Sequence, residues 1–311
     1  MIGIDVGGAN LKIVDDAGPH LHYCPLWERA PLTRLLNQYA SAPDEPAAVV
    51  MSGELADCFE SKMEGISFIV NAVKSAFPAA LFYGTDGRFH NDAVPQLAAA
   101  NWLASADYLR AEYPDAVLLD IGSTTADIIP LARFESLKGL TDLLRLQKGY
   151  LIYSGMLRGN IATLLQSVTL DSVLTPVSSE YFAISADAHL VLGHITPAQY
   201  SVDTPDKKEK TGTAALRRLA RVVCADLEEI GTGGAYQIAE QFWEKQRDLV
   251  CDQVRRVAGQ SAARQIIAGG TGAHLFSGEL DGTDLTKKLG SFSDTLPAFS
   301  VREVALRGKN S

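Results

Sequence analysis

Cysteine is scarce in this chain: Cys24, Cys58, Cys224 and Cys251 are the only four among 311 residues, and none forms a C-x-x-C pair or joins histidines at zinc-ligand spacing. That excludes a disulfide scaffold and a zinc module, and it reads as reduced thiols that fill cores. Positive charge is also short. The formal net charge of -9 leaves no basic face for nucleic acid or an anionic membrane surface. No apolar run approaches the roughly 20 residues a membrane span needs. The chain opens on a strand pattern, Ile2 to Val6, where a leader would place a basic segment and an apolar stretch. A cytoplasmic protein with small-molecule partners is expected. A homo-oligomer is compatible with the sequence, which carries no signal on assembly.

What is present suits an ordered globular protein. At 47% hydrophobic and 21% charged residues, the chain can build two domains, each with its own core. Strands are expected at Ile2–Val6, Leu11–Val14, His20–Leu26 and Ala47–Met51, and a helix over about Pro31 to Ala40. Met63, Ile66, Val70, Val73 and Phe77 recur at helical steps and predict a helix over about Ser61 to Phe77. A strand over Ala80 to Tyr83 and a long alanine-rich helix over Val94 to Glu112 follow. Arg133 to Lys148 reads as a surface excursion, then a helix to about Val168, and short strands between Val173 and Gly193. The polar Asp203 to Lys210 stretch reads as a mobile loop. Two helices follow, one on the stripe of Leu216, Leu219, Val223, Leu227 and Ile230, the other over about Gly234 to Val257. A strand at Gln265 to Ala268 and a final strand at Phe299 to Val304 complete the pattern.

The opening pattern recurs. Val117 to Ile129 repeats the form of Ile2 to Ile13: an apolar strand ending in Asp, a tight glycine-containing turn with small polar residues, and a second apolar strand. A supersecondary unit duplicated in this way predicts two similar domains related by a pseudo-twofold axis. The expected division is 1–115 and 116–311, with an inserted segment at about 133–210. A third glycine turn, Gly269-Gly270-Thr271-Gly272, joins a short strand to a helix.

The Asp5–Lys12 hairpin, the Asp120–Asp127 hairpin and the Gly269–Gly272 turn, in this order, resemble the phosphate-1, phosphate-2 and adenosine motifs of the actin, sugar-kinase and Hsp70 superfamily. The resemblance implies an α/β fold of two ribonuclease-H-like domains with a cleft between them. Within it the chain is similar to hydantoinase/oxoprolinase-related proteins of tetrahydromethanopterin-linked one-carbon metabolism. Ile4–Lys12, Met51–Asp57, Ala99–Ala104, Asp120–Asp127 and Glu180–Asp187 carry that similarity. Archaeal members resemble the enzyme that forms the furan–tyramine ether of methanofuran. This implies a transferase that joins a furan-methyl diphosphate to the phenol of a tyramine or tyrosine derivative and releases diphosphate. The rival implied by the same fold is an ATP-dependent small-molecule kinase or an oxoprolinase-like hydrolase.

In that setting the turns Gly7-Gly8-Ala9-Asn10 and Gly122-Ser123-Thr124-Thr125, with Gly269 to Gly272, are the expected phosphate cradles, because successive backbone N–H groups form anion-binding concavities. Lys12 is placed to meet a phosphate oxygen. Asp5 and Asp120 are the candidate Mg²⁺ ligands and, with Glu54 and Asp127, the candidate catalytic carboxylates. Glu54 is favoured as the base that activates the phenol, although Glu54 and Asp57 suit a helix N-terminus equally well. Asp57, Asn101, Trp102, Arg158 and Asp187 are the remaining candidate substrate contacts. ATP is compatible with the fold but not favoured, since Ala9-Asn10 stands where many ATP-using relatives carry Thr or Ser.

Overall fold

The computed structural model describes every residue except Ser41, Pro43, Asp44, Asn310 and Ser311. Its strands are β1 (Ile2–Val6), β2 (Asn10–Val14), β3 (Pro19–Tyr23), β4 (Ala47–Met51), β5 (Leu81–Tyr83) and β6 (Phe89–His90), then β7 (Ala116–Ile121), β8 (Ala126–Pro130), β9 (Leu151–Ile152), β10 (Ser167–Leu170), β11 (Val173–Pro176), β12 (Gln265–Gly269) and β13 (Thr283–Asp284). They form a six-stranded sheet in the order β3-β2-β1-β4-β5-β6, a five-stranded sheet in the order β13-β12-β7-β8-β9, and the separate hairpin β10-β11.

Counted from the first strand of each half and leaving out the separate hairpin β10-β11, both large sheets contain the same five-strand order, 3-2-1-4-5. In both, the second strand is antiparallel to the first and the fourth is parallel to it. This is the ribonuclease-H-like arrangement twice over, as the repeated hairpin implies. Register makes the duplication concrete. Asp5 pairs with Lys12 across the first hairpin, and Asp120 pairs with Asp127 across the second.

β1, β4 and β7 are buried at every position, which explains their continuous apolar runs: both faces are covered by helices. The helix Lys62–Ala76, capped by Ser61 through the Glu64 N–H, puts Ile66, Ile69 and Val73 on the outer face of the first sheet. The helix Leu227–Ser261, interrupted at Gly231 with φ +67, covers the second with Val250 and Val254. Between the sheets lie the helices Asn101–Leu109 and Leu296–Lys309. There Ala48 and Val50 of β4, Leu118 of β7 and Ile267 of β12 share one core with Trp102 and Val301.

Several expected elements differ. Phe299 to Val304 is helix, within Leu296–Lys309. Its β-branched and aromatic residues suggested a strand, but Ala298, Val301 and Ala305 are buried at helical steps. This helix returns to the first sheet, so closely that a Cβ on Gly3 would lie 2.1 Å from the Ala298 carbonyl oxygen. The packing boundary is therefore not a single cut at residue 115.

The alanine-rich segment is a 3₁₀ turn at Pro95–Leu97, a left-handed Ala99 with φ +47, and then the shorter helix Asn101–Leu109. The helix expected up to Val168 is a 3₁₀ turn at Ile161–Thr163 followed by β10, and part of the region expected as strands is the helix Ser185–Val191. The stripe from Leu216 to Ile230 is split between the helix Gly212–Arg221 and the start of Leu227–Ser261.

The expected insert also begins too early, because β9 belongs to the repeated sheet. The added part runs over about 153–226 and shares its own core of Ile161, Leu165, Ala188 and Leu219 with Phe242. Its Asp203 to Lys210 stretch is tied down where Asp206 meets Arg218 and Arg221, each at 3.1 Å. Among the described residues, no helix is long and apolar enough to cross a membrane.

Candidate active site

Both hairpin turns close in the same way. The Gly7 N–H donates to the Asn10 carbonyl at 2.9 Å, and the Gly122 N–H donates to the Thr125 carbonyl at 3.0 Å. The N–H groups at the tips are thus not spent on closing the turns. Each turn is held from behind. Gly53 at the end of β4 packs so tightly that a Cβ there would lie 2.8 Å from the Gly7 carbonyl, and a Cβ on Gly155 would come within 2.6 Å of the Ser123–Thr124 backbone. Met156 and Leu157 N–H groups donate to the Gly122 and Ser123 carbonyls, each at 2.9 Å. Gln246 in turn donates to the Gly155 carbonyl at 3.0 Å and the Ser154 hydroxyl at 3.1 Å.

The two turns face a common cleft of about 700 Å³, ample for a substrate-sized molecule. Of the expected site residues, it is lined by Asp5, Gly7, Gly8, Ala9, Asn10 and Lys12 from the first hairpin, and by Asp120, Gly122, Ser123, Thr124, Thr125 and Asp127 from the second. Asp57, Asn101, Arg158, Gly270 and Thr271 line it too. Asn101 donates to the Ser52 hydroxyl at 3.4 Å. Gly270 needs its glycine: it has φ +80, and a Cβ would sit 2.6 Å from Asp120 Oδ1. A separate cavity of about 400 Å³, near Asp15, Asp16 and Tyr39 of the first lobe, includes none of these residues.

Five expected site residues lie elsewhere. Trp102 is 2% exposed within the core between the sheets, under the Arg145 guanidinium, whose carbon is 4.3 Å from the indole centre. Asp187 is fully buried in the added segment. It accepts from Arg218 Nε at 2.8 Å, the Tyr200 hydroxyl at 3.0 Å and the Ile184 N–H at 3.0 Å, which is a structural duty. Gly269 and Gly272 are packing positions where a Cβ would strike Leu296 and Ile121. Glu54 is 2% exposed and does not line the cleft, and the helix at Gly65 lies directly on its backbone. Burial raises the pKa of Glu54.

Sequence reasoning missed Arg145, Asp142, Asp294, Trp27 and Tyr153, all of which line the cleft. Arg145 lies in the stretch taken for a surface excursion. The Thr141 cap and the Asp142–Arg145 spacing could have marked a helix, but nothing in them shows that Arg145 points inward. Its guanidinium contacts Asp127 and lies 2.9 Å from Asp142.

The electrostatics are dominated by crowded carboxylates. Asp5, Asp57, Asp120, Asp127, Asp142 and Asp294 line the cleft against the cations Lys12, Arg145 and Arg158. Burial raises Asp5 and Asp127, against the pull of Lys12 and Arg145 respectively. Burial, reinforced by the charges of Asp127 and Asp5 and opposed by Lys12, pushes Asp120 up to about 7. Asp5 Oδ1, Asn10 Oδ1 and Ser123 Oγ are buried with no hydrogen-bond partner, the signature of groups that wait for a ligand, ion or water.

The buried carboxylates of Asp5, with its unpartnered Oδ1, and of Asp120 supply hard donors of the kind Mg²⁺ takes. Among the described residues no three His, Cys, Asp or Glu side chains converge on a metal position. A Mg²⁺ ion here would complete its shell with water and oxygens of a bound anion.

With this geometry in place, the kinship is clear. A family model described as hydantoinase/oxoprolinase matches residues 45–300. The chain belongs to the hydantoinase/oxoprolinase family. One relative in this comparison is the (4-{4-[2-(gamma-L-glutamylamino)ethyl]phenoxymethyl}furan-2-yl)methanamine synthase of Methanocaldococcus jannaschii, 36% identical over 293 residues that cover 90% of this chain and 88% of the relative. The Methanococcus vannielii protein of the same name is 37% identical over 171 residues, 55% of this chain and 76% of its own. Among solved structures, this hydantoinase/oxoprolinase-family chain is similar to a ROK-family glucokinase from Streptomyces griseus, at 12% identity and a TM-score of 0.46 over 98% of each chain.

Proposed function

We propose that the chain is a transferase that joins a furan-methyl diphosphate to the phenol of γ-glutamyltyramine, or of a related tyramine or tyrosine derivative, in the biosynthesis of a methanofuran-type cofactor. Support comes from the 36% identity to the archaeal synthase over 90% of the chain. The observation that carries the chemistry is the pair of equivalent turns on one cleft, beside two buried carboxylates.

The reaction forms one C–O bond and breaks another. The phenolic oxygen attacks the furan-bearing methylene carbon, and the bond from that carbon to the diphosphate oxygen breaks. The electron pair leaves with diphosphate, and the phenolic proton goes to a base. The furan oxygen shares positive charge at the methylene carbon, so the protein's task is to stabilise the leaving anion and position the phenol.

The tip N–H groups of the Gly7–Asn10 and Gly122–Thr125 turns, with Lys12, receive the diphosphate oxygens. Asp5 and Asp120 would hold Mg²⁺, which would supply charge neutralisation for the leaving group. A cleft with six carboxylates and three basic side chains needs such a cation before a diphosphate can enter it. A phenol has an ordinary pKa near 10 and needs a base. We assign that role to Asp127, which lines the cleft, is oriented by Arg145 and is made more basic by burial.

The test is incubation of the purified protein with Mg²⁺, the furan-methyl diphosphate and γ-glutamyltyramine. The expected product is the aryl ether together with one equivalent of diphosphate, detected by mass spectrometry. Hydrolysis to the furan alcohol without ether would overturn the reading.

A further inference from the structure

Arg158 is the one basic side chain of the cleft that the chemistry above leaves unused. Lys12 lies 3.7 Å from Asp5, and Arg145 is engaged by Asp127 and Asp142. Arg158 has an aromatic partner instead: its guanidinium carbon sits 4.4 Å from the centre of the Trp27 ring, and among the described residues it makes no ion pair. The charge of Arg158 also reaches Tyr23 and Tyr181.

The stack is anchored at both ends and bridges the two lobes. Trp27 lies on the short 3₁₀ turn Leu26–Glu28, which is fixed to the first phosphate turn by the Leu26 N–H donating to the Gly8 carbonyl at 2.9 Å. The backbone N–H of Arg158 donates to the Ser123 carbonyl of the second turn at 3.1 Å. A guanidinium laid on an indole keeps the N–H donors at its edge free, and their fork matches a carboxylate. Both residues are half-buried and line the cleft, so an anion reaching them is partly sheltered from water. The diphosphate already has Lys12 and the turn N–H groups. A cation left without an acidic partner, although the cleft is lined by six carboxylates, is available to an anionic group on the other substrate.

We propose that Arg158, stacked on Trp27, binds the carboxylate of the phenolic acceptor, so that the enzyme selects phenols that carry an amino-acid-type carboxylate at the end remote from the hydroxyl. This deepens the transferase reading and rests on it. The stack then sets acceptor specificity, while the hairpin turns set the diphosphate side.

The experiment separates the two ideas. Calorimetry with the full chain compares γ-glutamyltyramine with tyramine, which lacks the carboxylate. The wild type is expected to bind γ-glutamyltyramine at least about tenfold more tightly. Arg158→Met is expected to abolish that preference and leave the KM for the furan-methyl diphosphate within about twofold, with Arg158→Lys restoring part of the preference. A preference that persists in Arg158→Met, or a loss confined to the diphosphate substrate, would overturn the proposal and place Arg158 on the leaving group. Binding is read without turnover. A wild-type protein that shows the preference yet forms no ether would therefore refute the transferase reading and leave the carboxylate site standing.

Discussion

At the scale of single residues, the site is defined by carboxylates that burial has pushed away from their ordinary behaviour. Asp120 is the clearest, 8% exposed and raised to about 7. Its charged form is costly in the folded protein unless a cation or ligand joins it. Replacement by Asn keeps the shape and removes the charge. Asp120→Asn is expected to lower ether formation at least about a hundredfold, because it weakens the hold on the cation that would neutralise the leaving diphosphate, while the melting temperature holds or rises. A variant with wild-type turnover would remove Asp120 from the site; one that simply unfolds would make it a structural residue. The sequence shows such residues well when they stand in a motif, as Asp5, Lys12, Asp120 and Asp127 do. It hides those placed by tertiary packing alone, as Asp294 and Trp27 are, because no local pattern records which distant wall a side chain will join.

At the scale of elements, the second hairpin turn is supported from inside the lobe. Gln246, on the helix Leu227–Ser261, accepts from His189 Nε2 at 2.8 Å while its amide holds Ser154 and Gly155. His189 Nδ1 lies 3.0 Å from His194 Nδ1, so its lone pair is available to the His194 N–H. Burial, with the neighbouring charge of His194, lowers the His189 pKa to about 3. The unfolded chain, with an ordinary histidine value near 6.5, therefore binds the extra proton first. Stability from the neutral form is complete above about pH 6.5 and is lost as pH falls toward 3, by up to about 1.4 kcal/mol per unit. His189→Gln is expected to flatten that part of the profile, measured as urea unfolding at about pH 7 and about pH 5. Equal losses in variant and wild type would show that other groups carry the acid sensitivity. This support was illegible in advance, since the segment from Val173 to Gly193 alternates as strands do, yet Ser185–Val191 is a helix whose residues from Ser185 through Leu190 are all buried.

At the scale of the whole molecule, duplication made the architecture readable. A strand, turn and strand repeated at Asp5 and Asp120 imply two equivalent sheets, and a pseudo-twofold arrangement brings their turns to one cleft. The added segment over about 153–226 has no counterpart in the first half, so its order of elements could not be inferred by comparison within the chain. The returning helix Leu296–Lys309 was obscured for another reason: it is buried between both sheets, and residues packed on several sides lose the simple period of a one-faced element. The shared cleft leads to a prediction that no single lobe could fulfil. A ligand that touches both turns stabilises the native protein by binding it and not the unfolded chain, by about 2.7 kcal/mol at a hundred times its dissociation constant. For a chain of 311 residues that corresponds to a rise of roughly 4 °C in melting temperature. Diphosphate with Mg²⁺ is expected to produce that rise, and ADP or ATP with Mg²⁺ no larger one, because the transferase needs the phosphate cradles and not an adenine site. Adenine nucleotides that stabilise the protein well beyond diphosphate would turn the assignment toward the ATP-dependent alternative. Diphosphate that has no effect, with or without Mg²⁺, would break the link between the paired turns and a phosphate-bearing ligand.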